Sequence, residues 1–449
     1  MSAMNKHQLK RLRLPALSLI GLLGLPSIAH AQDALSTGDT AWILTSTALV
    51  LFMTIPALAL FYGGLVRTKN VLSILMQCLV LTAAMSVLWV AVGYSLSFSE
   101  GNAIIGSVFD KVFMMGIGTD ALTGSIPEVL FAAFQMTFAV ITPALIVGAF
   151  AERMRFSAML IFSALWLLVV YTPICHMTWG GGLFSQWGVL DFAGGIVVHI
   201  TAGVAALVLC IVLGPRKGYP ETDIAPHNLT MTFMGTAMLW VGWFGFNAGS
   251  ALGANGGAAM ALLVTHISAS VATLVWMAID WFRDGKPSLL GAATGSIAGL
   301  AAVTPASGFI GPFGGLVIGL VAGTVCWYFA SVLKHRLGYD DSLDVFGVHG
   351  IGGLIGTLLV AFFAAESLGG LDSEMLMASQ LGVQTAAAGI TAAYTAVASF
   401  VLIKVTGLVV PLRVSGDEEE RGLDAVLHGE SGYELEPANV RVGEAEAAK

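Results

Sequence analysis

Eleven stretches of this sequence are apolar over a length that a bilayer explains and a small soluble core does not. They run over about 41–66, 71–97, 127–150, 157–177, 192–213, 230–251, 257–282, 288–306, 311–333, 345–365 and 381–410. A helix of about 20 apolar residues crosses the hydrocarbon layer. The chain is 56% hydrophobic and only 11% charged, whereas soluble domains are about one quarter charged. The expected fold class is an all-α polytopic membrane protein with eleven transmembrane helices. Its surroundings are the lipid bilayer, and no basic patch points to nucleic acid.

The charges between the spans give the sidedness. Arg67, Lys69, Arg153, Arg155, Arg216, Lys217, Arg283, Lys286, Lys334 and Arg336 fall on one side, and the opposite loops carry only Lys111. Basic residues concentrate on the cytoplasmic side, so the C-terminus is expected in the cytoplasm and the mature N-terminus outside. Residues 1–31 agree. Lys6, Lys10, Arg11 and Arg13 precede the apolar run 14–28, and Ala29-His30-Ala31 matches a cleavage site, as in a secretory signal peptide. An uncleaved extra helix is the alternative. The expected division is a signal peptide at 1–31, a membrane domain at 32–410 and a cytoplasmic acidic tail at 411–449. The tail holds ten Asp/Glu and four Lys/Arg, so it carries −6 of the net −8.

Two spans contain a histidine deep in apolar sequence: His199 after Asp191-Phe-Ala-Gly-Gly, and His349 within Val-Phe-Gly-Val-His-Gly. Ionisable groups are costly there and mark pathways or pairs. They fall in the fifth and tenth spans. Two sets of five, about 41–213 and 230–365, would be inverted relative to each other, with a shared central site and an extra helix at 381–410. Two unrelated helix–helix hydrogen bonds are the other reading. Phe134 and Phe138 share one helix face, as do Trp243, Phe246 and Ser250, and Trp179 ends span four before Gly180-Gly181-Gly182. Spacing alone leaves packing and headgroup anchoring open beside an aromatic vestibule that attracts a small cation through its ring faces. Asp191 reads as an N-cap for span five. Glu152-Arg153 and Asp344 read as structural. Two histidines do not make a closed zinc site, no cofactor or enzyme motif is present, and Cys78, Cys175, Cys210 and Cys326 read as buried hydrophobes.

At these residues the chain resembles the ammonium transporter (Amt/Rh) family, in particular its bacterial members. The matching stretches include Phe61-Tyr-Gly-Gly64, Gly148-Ala-Phe-Ala-Glu-Arg153, Trp179-Gly-Gly-Gly182, Asp191-Phe-Ala-Gly-Gly195, Gly242-Trp-Phe-Gly-Phe-Asn-Ala-Gly-Ser250, Lys286-Pro-Ser-Leu-Leu-Gly291 and Asp344-Val-Phe-Gly-Val-His-Gly350. The resemblance implies eleven helices in a 5+5 inverted repeat and a homotrimer in the inner membrane, with ammonium or methylammonium as substrate. It implies recruitment by Phe138, Trp179 and Ser250, a gate of Phe138 and Phe246, and a pore lined by His199 and His349. Asp191, Phe134 and Trp243 would support these structurally. It also implies a tail, around Arg421-Gly-Leu-Asp424 and His428-Gly-Glu430, that meets a PII-type signalling protein. The extension past Tyr433 has no counterpart in that pattern.

Energetics favours passage as ammonia. A cation at the bilayer centre costs at least ~2.5–3.5 kcal/mol, and a ring-face contact returns only about 0.5–2 kcal/mol. Aromatic rings concentrate the ion but do not carry it through a dry pore. An ammonium sensor acting through the tail, and an Rh-type channel passing neutral ammonia or carbon dioxide, are the competing expectations.

Overall fold

The computed structural model describes residues 34–222 and 224–433. The expected signal peptide and the extension after Tyr433 lie outside the described residues. Among the described residues, ten helices are long and apolar enough to cross a membrane: α1 Thr37–Leu65, α2 Thr68–Phe98, α3 Glu128–Phe150, α4 Phe156–Gln186, α5 Gly195–Leu213, α6 Leu229–Gly249, α7 Gly256–Asp284, α9 Pro312–Leu337, α10 Phe346–Phe363 and α11 Met377–Val409. The eleventh, α8 Leu289–Val303, is shorter. A two-residue hairpin, β1 Leu122–Thr123 with β2 Ile126–Pro127, leads into α3. The chain is a multi-pass membrane protein.

Several ends lie a few residues from the sequence expectation, and three of these departures have a local cause. The apolar run of α4 continues past 177 to Gln186, because the chain turns at Gly180–Gly182 and resumes a short helix at Leu183. Span eight was expected to reach 306, but its helix ends at Val303, two residues before Pro305. Span five was expected to start at 192 under an Asp191 N-cap. Its helix starts at Gly195, and the capping position is Gly194 in the left-handed region (φ 115°).

The helices are not equally enclosed. In α3, 83% of the most apolar window is buried, against 33% in α9. α3 is thus a central element, and α9 turns much of its surface outwards. Inside α1, Ile55 adopts extended dihedrals (φ −131°, ψ 115°) before Pro56, whose missing N–H cannot continue the helical ladder.

The helices α5 and α10 cross closely and in opposite directions: the first turns of each lie against the later turns of the other. Glycine permits the approach. A Cβ on Gly203 of α5 would lie 2.2 Å from Gly350 Cα, and one on Gly353 of α10 would lie 2.7 Å from both Gly195 O and His199 Cβ. Both histidines sit in wide first turns, Gly195–Ile200 and Phe346–Gly350. His199 N–H, for instance, reaches back five residues to Gly194 O at 3.0 Å. Such wide turns are rare and recur at functional sites.

The first part of the tail is ordered against the basic ends of the helices. Helix α12, Gly416–Arg421, carries a capping box of Ser415 and Glu418. Glu418 pairs with Arg155 (2.9 Å), Glu419 with Arg413 (2.8 Å) and Glu420 with Lys217 (2.6 Å). Asp424 accepts from Leu72 N–H (3.0 Å) and Ser73 N–H (2.8 Å), capping the start of α2. Tyr433 OH lies 3.0 Å from His227 Nε2.

Candidate functional site

The aromatic residues singled out in the sequence come together where the first half of α3 meets the later turns of α4 and α6. Phe138 and Phe246 are tilted by 39° with ring centroids 4.4 Å apart. Trp179 meets Phe138 edge-on at 5.9 Å. Phe134, wholly buried, packs edge-on against Phe138 at 5.1 Å from one helical turn away. Phe138 and Phe246 are themselves about 1% exposed, so the two rings are packed closed against each other beside Trp179. Ser250 ends α6 one turn past Phe246, where its hydroxyl donates to Phe246 O at 2.8 Å. The oxygen's lone pairs stay free to accept.

Asp191 holds this arrangement, though not as the capping residue expected. Gly194, at positive φ, redirects the chain so that the carboxylate upstream faces the first free N–H groups of α5. Oδ1 accepts from Gly194 (2.9 Å) and Gly195 (2.6 Å), and Oδ2 from Ile196 (2.8 Å) and Val197 (3.1 Å). Its own carbonyl accepts from Trp179 Nε1 at 2.8 Å. One aspartate therefore fixes both the start of α5 and the plane of the Trp179 indole. Its carboxylate oxygens thus have four backbone N–H partners.

Below the rings, His349 Nδ1 lies 3.3 Å from His199 Nδ1. The ring centroids are 5.2 Å apart and the planes within 21° of parallel. One Nδ1 donates and the other accepts, which leaves one Nε2 lone pair and one Nε2–H on the far sides of the rings. His199 Nε2 is buried without a hydrogen-bond partner. The histidines border a small cavity whose other walls are apolar, among them Phe61, Leu145, Val198 and Ile297. It offers about 10 Å³ for the centre of a water-sized molecule, room for about one at a time.

Trp243 was expected only as support. It also stacks on His199 (5.6 Å, 25°) and lines this cavity, with its Nε1–H donated to Thr304 Oγ1 at 2.9 Å. It is both a brace and a wall of this cavity. Thr304 carried no signal in the sequence that would have found it.

Glu152 and Arg153, read as structural, belong to one charged network. Glu152 accepts from Arg67 N (2.6 Å) and Nε (2.7 Å) and lies 3.6 Å from Arg216. Arg216 grips Asp340 through Nε (2.9 Å) and Nη2 (2.8 Å). Burial pushes the Glu152 carboxyl up, but Arg216 and Arg67 together outweigh it and hold it below the usual range. Arg153 donates to Asp340 O (2.6 Å) and Ala149 O (2.8 Å). Among the described residues, no group of His, Cys, Asp and Glu is placed to hold a metal ion.

The sequence profile of the Ammonium Transporter Family matches residues 41–433. The chain belongs to this family. An ammonium transporter of Bacillus subtilis (strain 168) is 48% identical over 402 residues, which is 88% of this chain and 98% of that one. The crystal structure of Saccharomyces cerevisiae Mep2 matches with a TM-score of 0.80 at 37% identity, covering 90% of this chain and 93% of the other. A structure described as a sensor Amt protein matches with a TM-score of 0.81 at 29% identity, covering 87% and 98%. Family membership and the 5+5 fold thus agree with the resemblance read from the motifs, and the Bacillus subtilis relative of this Ammonium Transporter Family member is named a transporter rather than an enzyme.

Proposed function

We propose that the protein takes up ammonium, removes its proton near the aromatic gate and conducts ammonia between the two halves of the fold. Phe138, Trp179 and Ser250 recruit the ion by ring faces and a hydroxyl acceptor. Phe138 and Phe246 form the gate. His199 and His349 line the pore, and their shared proton gives the pair a way to relay the one that ammonium leaves behind, so that net transport moves charge. The observation that carries this reading is the 3.3 Å contact between the two Nδ1 atoms beside a one-molecule apolar cavity. A bare cation has no ligand set there, whereas a neutral amine finds a donor and an acceptor. The basic inner loops support an external N-terminus and a cytoplasmic C-terminus. The protein works as a homotrimer in the cell membrane, and the tail on the inner face is the surface for a PII-type partner.

The test is solid-supported-membrane electrophysiology on the reconstituted protein. Replacing both His199 and His349 by alanine is expected to abolish the methylammonium-driven current. Full current with unchanged selectivity would refute the conduit role. A parent protein that moves ammonia without current would favour an electroneutral Rh-type channel. The likeness to a sensor Amt protein favours a second reading, in which binding is signalled through the tail. Labelled methylammonium uptake separates the two, since a pure sensor binds without flux.

A further inference from the structure

The passage continues below His349. Phe61, Ile297 and His349 line both the small cavity beside the histidines and a larger one, of about 270 Å³, towards the inner face. Besides His349, three ionisable residues stand on its wall: Arg216, Asp280 and Asp344. Two are already committed. Arg216 is bound to Asp340, and Asp344 is paired with Lys334. Asp280, in the last two turns of α7, is not. Its Oδ1 accepts from Trp327 Nε1 at 2.9 Å. The arginine nearby on its own helix, Arg283, pairs with Asp284 at 3.7 Å and lies over the Trp327 ring at 5.5 Å. Among the described residues, Asp280 is thus the one carboxylate on this wall without a basic ion-pair partner.

Its position is built into the neighbouring helix. A Cβ at Gly291 of α8 would lie 1.8 Å from Asp280 Oδ2. Only glycine leaves that oxygen its place. One turn further along the same face of α8 stands Thr294, also on the cavity wall. Its hydroxyl donates to Leu290 O at 2.9 Å, so its oxygen faces a donor with lone pairs unused. A free carboxylate oxygen and a hydroxyl oxygen, in a cavity that shares three wall residues with the one beside the histidines, suit a small cation bearing several N–H groups.

We propose that Asp280 forms an inner binding site for ammonium, which holds the ion once ammonia has passed His349 and regained a proton. This rests on the reading that neutral ammonia passes the histidines. The proton comes from hydronium on the aqueous inner side: one N–H bond forms, one O–H bond breaks, and water is left. Asp280 accepts an N–H of the ion and itself gives up nothing. The site sits beyond the gate, so selection upstream decides what reaches it.

The competing role for Asp280 is to tie α7 to α9 through Trp327, and two substitutions separate the roles. Asp280→Asn removes the charge but keeps an oxygen for the indole N–H. Trp327→Phe removes that bond but keeps the charge. The readout is labelled methylammonium uptake into vesicles of one orientation, inner face to the lumen, preloaded with increasing unlabelled methylammonium. For Asp280→Asn, the internal concentration that halves uptake is expected to rise roughly tenfold, as for loss of one hydrogen bond to a charged group, with external half-saturation unchanged. Gly291→Ala, which displaces the carboxylate, shifts it the same way by less. Trp327→Phe leaves it near the parental value. Parental internal inhibition in Asp280→Asn or in Gly291→Ala, or the same shift in Trp327→Phe, overturns the proposal. A parent protein with no methylammonium uptake at all would instead sink the transport reading.

Discussion

Replacing Gly203 by alanine tests whether the glycine crossing sets the histidine contact. The new methyl carbon would stand 2.2 Å from Gly350 Cα, where ordinary contact begins at 3.4 Å. The obstacle is backbone and cannot rotate away, so α5 and α10 must part by about 1.2 Å or more, a typical overpacking strain of ~1–3 kcal/mol. The two Nδ1 atoms start at 3.3 Å, already long for a hydrogen bond. Parting of that size breaks the contact, at about 1 kcal/mol more. A stability loss of roughly 2–4 kcal/mol follows, with a fall in current larger than any fall in the amount of folded protein. Gly352→Ala is the matched control on α10, because its Cβ would meet nothing closer than 3.5 Å. The assays are thermal unfolding in detergent and methylammonium-driven current per folded protein in reconstituted membranes. If Gly203→Ala conducts as the parent does, the crossing does not set the spacing and the reasoning fails.

Three further outcomes are expected. Ser250→Ala removes one neutral acceptor from the outer site, which at about 1 kcal/mol raises the half-saturating external methylammonium roughly fivefold; an unchanged value would place Ser250 outside recruitment. Asp341, in the loop before α10, is pushed up to about 6 by burial and by neighbouring Asp344. A raised carboxyl stabilises the fold when protonated, fully below its unfolded value and progressively less as pH rises through about 6. Asp341→Asn should therefore melt above the parent at pH 8, the gap closing on acidification through that range; a constant gap would refute this. Asp424→Ala uncaps α2, at a typical cost of ~1 kcal/mol, and should speed tryptic cleavage after Arg421; unchanged cleavage would show that the tail is held elsewhere.

The spans were legible because lipid imposes a long, uniform apolar requirement that survives any detail of packing. Their ends were less so. Gly180–Gly182 looked like a terminus and is a turn within a longer apolar segment. Asp191 looked like a cap, but a positive φ at Gly194 set the geometry. The histidines stood out as ionisable groups in apolar runs, whereas the other residues that line their cavity did not. Phe61, Ile297 and Val198 resemble dozens of apolar neighbours, and only the three-dimensional crossing of the two halves selects them. Trp243 was visible as one of a stripe, yet its stacking on His199 depends on a helix from the other half. The tail was the hardest to read. Its acidic composition points to order only against the membrane domain or a partner, but not to which residues hold it: Arg155, Lys217 and the N–H groups of Leu72 and Ser73 lie hundreds of residues earlier.

The antiparallel meeting of α5 and α10 also has a consequence in time. His199 is made 150 residues before His349, which at ribosomal rates of about 5–20 residues per second is an interval of about 8–30 s. Throughout it the earlier imidazole has no mate, and the groove that will receive α10 stands open along a line of glycines. The nascent first half must wait in this unfinished condition, neither sealed nor conducting, until a segment from the far end of the gene threads in beside it.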